Sequence, residues 1–288
     1  MKKTSVLVGL LSAVLLFASC KKNKSEDLTL NINGLEDLGS AYVYEGWIIV
    51  DGEAITTGTF TVDASGSMST NTFSVNKKNL EDASSFVLTI EPANDSDPAP
   101  SAVHILAGDF SDSEASLSVS HASAIGTDFT AATGTYMLAT PTDGTMDDET
   151  SGVWFIDPAT GTAGLNLPTL PAGWAYEGWA VIDGTPVSTG TFTATNVADN
   201  DAPYSGSTAG PAFPGEDFLM NAPSGLTFPT DLSGRTIVIS VEPSPDNSAN
   251  PFLLKPLVHE LPSPAGSGVA YNMNNNASAT NPTGTASR

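Results

Sequence analysis

The chain repeats itself, and that limits what it can fold into more than any single motif does. Tyr44-Glu45-Gly46-Trp47 returns as Tyr176-Glu177-Gly178-Trp179, and Asp51-Gly52 returns as Asp183-Gly184. Thr57-Gly58-Thr59-Phe60-Thr61 recurs as Thr189-Gly190-Thr191-Phe192-Thr193, all at a constant offset of 132 residues. Thr89-Ile90-Glu91-Pro92 then returns as Ser240-Val241-Glu242-Pro243, with the offset widened to 151. A period this long marks duplication of a whole domain rather than a solenoid, whose repeats run roughly 20–50 residues. A residue kept in both copies is therefore read first as part of the fold and only second as part of a site.

The pattern inside each copy is that of short strands. Leu28 to Ile32 alternates apolar and polar residues, and Tyr42 to Val50 is aromatic and β-branched up to Asp51-Gly52, a strong hairpin signal. Further short strands are expected at 59–62, 73–75, 86–90, 103–106 and 117–119. In the second copy they are expected at 134–140, 153–157, 179–182, 190–194, 236–241 and 252–257. Only Asn79 to Ala83 looks like a helical turn. The expectation is an all-β chain of two tandem antiparallel β-sandwich domains, residues 28–125 and 133–264. Residues 265–288, rich in Gly, Asn, Ser and Thr, are expected to form a disordered tail, because they bring too little apolar surface to offset ordering entropy.

Lys2 and Lys3 precede an apolar run from Val6 to Phe17 that is too short to span a bilayer, followed by Ala18-Ser19-Cys20. This order suits a signal peptide, residues 1–19. Its end resembles a bacterial lipoprotein box, which implies that Cys20 is lipidated and that residues 20–27 form a polar tether. Phe17 stands where such a box usually holds a smaller aliphatic residue. Cys20 is the only cysteine, as suits acylation rather than a disulfide. The expected location is the cell envelope, with the chain lipid-anchored to a bacterial membrane (the outer one favoured) and its body periplasmic or surface-facing. No second apolar segment is long enough to cross a membrane.

Ten Lys plus Arg against 32 Asp plus Glu give a formal net charge of −22. Such a surface repels nucleic acid and anionic headgroups, so no nucleic-acid partner is expected. His104, His121 and His259 lie at no metal-ligand spacing, and no metal or other cofactor is expected. Acidic turns at 94–97, 147–149 and 199–201 can offer oxygen ligands to calcium, yet none forms an Asp-x-Asp-x-Asp-Gly loop. Phosphate-cradling and nucleophile-elbow motifs are missing. Glu45 with Glu177 and Glu91 with Glu242 are paired carboxylates of the kind glycoside hydrolysis uses, but duplication favours a structural duty for each. The chain is therefore expected not to be an enzyme, with a hydrolase using Glu177 or Glu242 as the minor alternative.

The two copies differ by 19 extra residues in the second, between Phe192 and Val241, around Tyr204 to Asp231. Loops carry recognition on sandwiches, so Tyr204, Phe213, Glu216, Asp217, Phe218 and Phe228 form the candidate binding loop. The alternative is that its aromatics merely cover a sheet edge or the domain junction.

The repeat unit runs Tyr-Glu-Gly-Trp, Asp-Gly, Thr-Gly-Thr-Phe, then a strand closing on Glu-Pro before a Ser/Pro-type turn. It resembles the extracytoplasmic domain of anti-sigma-K factors over roughly Leu35 to Gly108 and Leu167 to Val258. The whole chain also resembles lipoproteins of Bacteroidota. The resemblance implies a sandwich that senses or binds protein in envelope signalling. The helical cytoplasmic domain and spanning helix of such factors have no counterpart here, so direct sigma-factor sequestration is not implied. A surface glycan-binding or adhesive lipoprotein, stacking sugar on an exposed Trp174, Tyr204 or Phe213, is the competing expectation. In either case the expected partners are a membrane, through the lipid, and an envelope protein or glycan still to be identified.

Overall fold

The structure, a computed structural model, describes residues 24–145, 147–245 and 248–288. Strand makes up 42% and helix 4% of it, and the sheets are antiparallel, so the fold is all-β and sandwich-like. Cys20 and the leader lie outside the described residues. No helix among the described residues is long and apolar enough to cross a membrane.

The first half contributes β1 (Ser25–Asn33), β2 (Tyr42–Val50), β3 (Glu53–Phe60), β4 (Thr72–Asn76), α1 (Lys77–Asp82), β5 (Ser85–Pro92), β6 (His104–Ser111) and β7 (Glu114–Ser118). The second half contributes β8 (Thr133–Leu138), β9 (Gly152–Trp154), β10 (Ile156–Asp157), β11 (Thr162–Ala163), β12 (Leu165–Asn166) and β13 (Trp174–Ile182). It continues with β14 (Thr185–Phe192), β15 (Gly215–Asp217), β16 (Thr236–Pro243) and β17 (Leu257–Glu260). After these come β18 (Tyr271–Asn272), β19 (Asn274–Asn275), α2 (Ala277–Thr280) and β20 (Thr283–Ser287).

In the first half a single eight-stranded sheet, ordered β3-β2-β5-β6-β7-β20-β1-β4, folds over until its edges meet. Phe60 on β3 lies 6.0 Å from Phe73 on β4, ring to ring. β1 turns Leu28, Leu30 and Ile32 inward at a period of two. β5 is buried on both sides. Phe86, Leu88 and Ile90 enter the main core, while Val87 joins Trp47, Ala107 and Ala124 in a smaller cluster on the outer face. In the second half a sheet ordered β14-β13-β16-β17-β19 faces one ordered β12-β8-β9-β15, with β18 also on β8. Tyr136 on β8 crosses between them, its hydroxyl 2.7 Å from Nδ1 of His259 on β17.

The duplicated residues build the same device twice. Each hairpin, β2–β3 and β13–β14, turns through Asp-Gly with positive φ at both positions (52° and 87°, then 50° and 81°), the conformation a two-residue hairpin of matching twist requires. Each carries a bulge after its Gly-Trp glycine, Gly46 or Gly178. Trp47 Nε1 donates to Thr89 Oγ1 at 2.9 Å, and Trp179 Nε1 donates to Ser240 Oγ at 2.8 Å. Those hydroxyls donate onward to Glu91 and Glu242, both 1% exposed. The carboxylates in turn accept from the backbone N–H of Ser101 (2.8 Å) and Phe252 (2.9 Å).

The segment 265–288 is not a loose tail, and this corrects the sequence expectation. β18 pairs with β8 and β19 with β17, while β20 lies between β1 and β7 inside the first sheet. Side-chain amides supply the hydrogen bonds there. Asn275 Nδ2 donates to Phe129 O (2.8 Å) and Ala132 O (2.9 Å), and Asn281 Nδ2 to Asp128 O (2.8 Å). Tyr271, Met273, Ala277 and Ala286 are its few buried anchors. The first sandwich is thus not confined to residues 28–125, nor does the tether reach Asp27, since β1 starts at Ser25. Lys77 draws that start in, its ammonium 2.8 Å from Glu26. Nor do residues 252–256 form the expected strand, because Pro251 and Pro256 withhold two ladder donors and β17 begins only at Leu257.

A single hydrophobic core runs through both halves. Phe129, between the halves, meets Tyr176 edge to face at 6.5 Å. A small cavity of ≈ 100 Å³ at the junction is lined by Glu36, Tyr42 and Ile90 from one side and Glu242, Pro243 and Phe252 from the other.

Candidate functional site

The extra residues of the second copy are packed down. Tyr204, Phe218 and Phe228 form an aromatic trio with ring centroids 5.5–6.0 Å apart. Phe218 is fully buried, and Tyr204 and Phe228 are half-buried. Glu216 and Asp217 are fully buried on β15, whose partner is β9. Consecutive strand residues point to opposite faces, so the two acids fasten different loops. Glu216 accepts from the Ser205 hydroxyl and from the N–H groups of Asp217 (3.0 Å) and Tyr204 (3.4 Å). Asp217 accepts from Thr142 N (2.8 Å), the Thr142 hydroxyl and Trp154 Nε1 (2.7 Å). Five of the six candidate loop residues are therefore scaffold rather than contact surface. Trp174, expected as an exposed stacking platform, is 3% exposed with its ring 6.0 Å from Phe252. The duplicated glutamates Glu91 and Glu242 are held in the relays described above.

What the scaffold supports is a cleft of ≈ 450 Å³. Its lining includes Thr142, Trp154, Asp199, Asn200, Asp201, Thr208 and the remaining candidate, Phe213, which is half-buried. Two glycines let the backbone lie directly against the indole. A Cβ at Gly210 would come 2.6 Å from Trp154 Cη2, and one at Gly215 2.6 Å from Trp154 Cε3. Thr142 holds the rim, accepting from Gly206 N on its hydroxyl (2.7 Å) and from Thr208 N on its carbonyl (3.1 Å).

Asp199 is half-buried and accepts one bond, from Gly215 N at 2.9 Å. Burial pushes its carboxyl up to about 7, with a smaller push from nearby Asp201. Burial likewise raises Glu216 to about 7, against the pull of its three donors. Asp217 is also raised by burial, despite Thr142 and Trp154. Among the described residues no lysine or arginine lines the cleft. Among the described residues no group of His, Cys, Asp and Glu is placed to hold a metal ion.

A second cavity of ≈ 420 Å³ adjoins the first and shares Asn200 and Asp201 with it. Ala175, Glu177, Ser188, Gly190, Thr191 and the 243–245 turn form the rest of its wall. The first copy has the equivalent groove, ≈ 280 Å³, lined at matching positions by Val43, Glu45, Thr56, Thr59, Pro92 and Ala93. The shared chemistry there belongs to the fold. Thr56 and Ser188 donate to Glu45 and Glu177 and accept from Gly58 N (3.1 Å) and Gly190 N (2.9 Å), which steadies the bulged hairpin. Only the second copy adds Asn200 and Asp201, and with them the larger cleft.

Asp199, Asn200 and Asp201 were visible in the sequence only as one acidic turn among several, Trp154 only as part of the strand expected at 153–157, and Thr142 carried no signal. No protein-family model matches the chain, and no curated protein or solved structure matches it.

Proposed function

We propose that this protein is a lipid-anchored, non-catalytic binding protein of the bacterial cell envelope that takes its ligand in the cleft over Trp154. The observation that carries the reading is the cleft's origin. Most of its wall comes from the stretch between Phe192 and Val241 that holds the second copy's extra residues, with Thr142 and Trp154 added from outside it, on a scaffold of buried carboxylates whose desolvation costs stability. Polar residues of several kinds converge there in a volume ordinary for small-molecule sites, roughly 300–1,000 Å³. The leader and Cys20 support the anchor. The resemblance of both copies to the outer domain of anti-sigma-K factors supports a sensing role, in which ligand occupancy is reported to envelope signalling without sequestration of a sigma factor. A broad protein-docking face has less support, because the large exposed hydrophobic residues among the described ones are Val197, Met220 and Val269, far apart in the sequence.

Two experiments test the reading. Full-length protein is purified from envelopes and examined by native mass spectrometry for a retained small molecule. Thr208→Trp, at an exposed rim position, is expected to fill the cleft and release that molecule without lowering the melting temperature. If nothing is retained under several growth conditions, the reading fails. Separately, Cys20→Ser is expected to abolish lipid labelling and to free the protein from the membrane, and continued membrane association sinks the anchor.

A further inference from the structure

Resting on the proposal that the cleft is a ligand site, we infer that the cleft and its adjoining groove together take a neutral, chain-like carbohydrate lying across Asn200 and Asp201. Three observations lead there. The first is shape. Two cavities of ≈ 450 and ≈ 420 Å³ meet at one shared pair of residues, which suits an extended molecule with units on both sides better than a single compact one.

The second is chemistry. The walls include the acids Asp199 and Asp201, an amide (Asn200) and hydroxyls (Thr191, Thr208, Ser244), and Phe213 also lines the cleft. Vicinal hydroxyl groups match paired acceptors and donors of this kind, and the apolar face of a sugar ring matches an aromatic side chain. Asn200 spends its carbonyl oxygen on Thr191 N at 2.9 Å, which orders the ridge in advance. Asp201 is exposed and accepts the adjacent Ala202 N–H at 2.9 Å. The third is charge. Since no lysine or arginine among the described residues lines either wall, a phosphate, sulfate or uronic acid finds no counterion there. Asp199 adds less negative charge than an exposed acid would, because burial raises its carboxyl to about 7.

The test is an array of neutral and acidic oligosaccharides with spermine as a cationic control, followed by calorimetry on the full chain. Neutral oligosaccharides are expected to bind, more tightly as length increases until both cavities are filled. Asp201→Ala is expected to weaken the longer ligands roughly tenfold, the scale of one hydrogen bond to a charged group. Thr191→Trp in the groove should reduce the length dependence, and Thr208→Trp in the cleft should remove binding. The matching change in the first copy, Thr59→Trp, should do nothing. Melting temperatures check that each variant is folded. Lack of binding to any neutral glycan, preference for spermine or acidic glycans, or indifference to Thr191→Trp overturns the inference. If a small molecule retained from envelopes is nonetheless released by Thr208→Trp, the cleft stands as a ligand site and only the carbohydrate assignment falls.

Discussion

At the scale of the residue, one hydroxyl in each copy decides whether a tryptophan and a glutamate can both be buried. Thr89 Oγ1 accepts from Trp47 and donates to Glu91, and Ser240 does the same for Trp179 and Glu242. Thr89→Val keeps the shape and strands both partners, so it should cost about 1–3 kcal/mol, read as a lower denaturation midpoint at unchanged slope. Glu216 allows a pH test. Its folded carboxyl is raised to about 7, above the unfolded value near 4.3, so the folded state binds the extra proton between the two. Its contribution therefore favours the fold at acidic pH and is lost as pH rises through about 7. Stability from this group should increase on acidification from about pH 8 to 5, and Glu216→Gln should flatten the melting temperature over that window. An unchanged profile counts against the burial argument. The sequence made the relays legible because they are written twice. It did not reveal the role of Glu216, since nothing local distinguishes a buried loop carboxylate from the many that face solvent.

Among elements, β2 and the two Asp-Gly turns were readable to the residue, β3, β13 and β14 only in part since they start at Glu53, Trp174 and Thr185, and the end of the chain was not. Alternation, an Asp-Gly turn and a repeat mark β2 and β13 independently, and local and global signals agree. Of α1 only a turn at Asn79 to Ala83 was expected, and its actual start is set by Asn76, whose side chain caps the N–H groups of Lys78 and Asn79. β20 has the sequence Thr-Gly-Thr-Ala-Ser and buries little beyond Ala286. Its stability comes from two neighbouring strands that no local pattern could foretell. Arg288 then closes the first half. Its guanidinium donates to the carbonyls of Leu80 (2.6 Å), Ala83 (2.8 Å) and Asp112 (2.9 Å) and lies 4.3 Å from the Phe110 ring centre. Arg288→Ala should lower stability by about 1–3 kcal/mol. Removing residues 283–288 should do much more, leaving β1 and β4 without their link to β7 and exposing the first core to a hydrophobic dye. Native-like melting of that truncated protein is the result that refutes this placement.

For the whole molecule, duplication proves to be a guide to parts rather than to boundaries. Each copy supplies its own hairpin and relay, yet the core is continuous, Phe129 packs on Tyr176, and the last strand of the chain serves the first half. Denaturation followed by tryptophan fluorescence and by calorimetry should give one coincident transition, and two resolved transitions would mean that the halves stand alone. The cleft escaped sequence reading for a related reason. It gathers residues from 142, 154 and 199–215 that share neither period nor motif, and of the aromatic residues expected in the loop only Phe213 lines it, while Tyr204, Phe218 and Phe228 pack on one another. The placement of β20 also has a consequence in time. A sheet that opens with Ser25 is unfinished until Ser287 has been made, so the emerging first half has a gap where its sixth strand belongs. On the proposal that the chain is exported, a first sheet that cannot close before its last strand is made would leave the polypeptide fit for threading through a translocation pore.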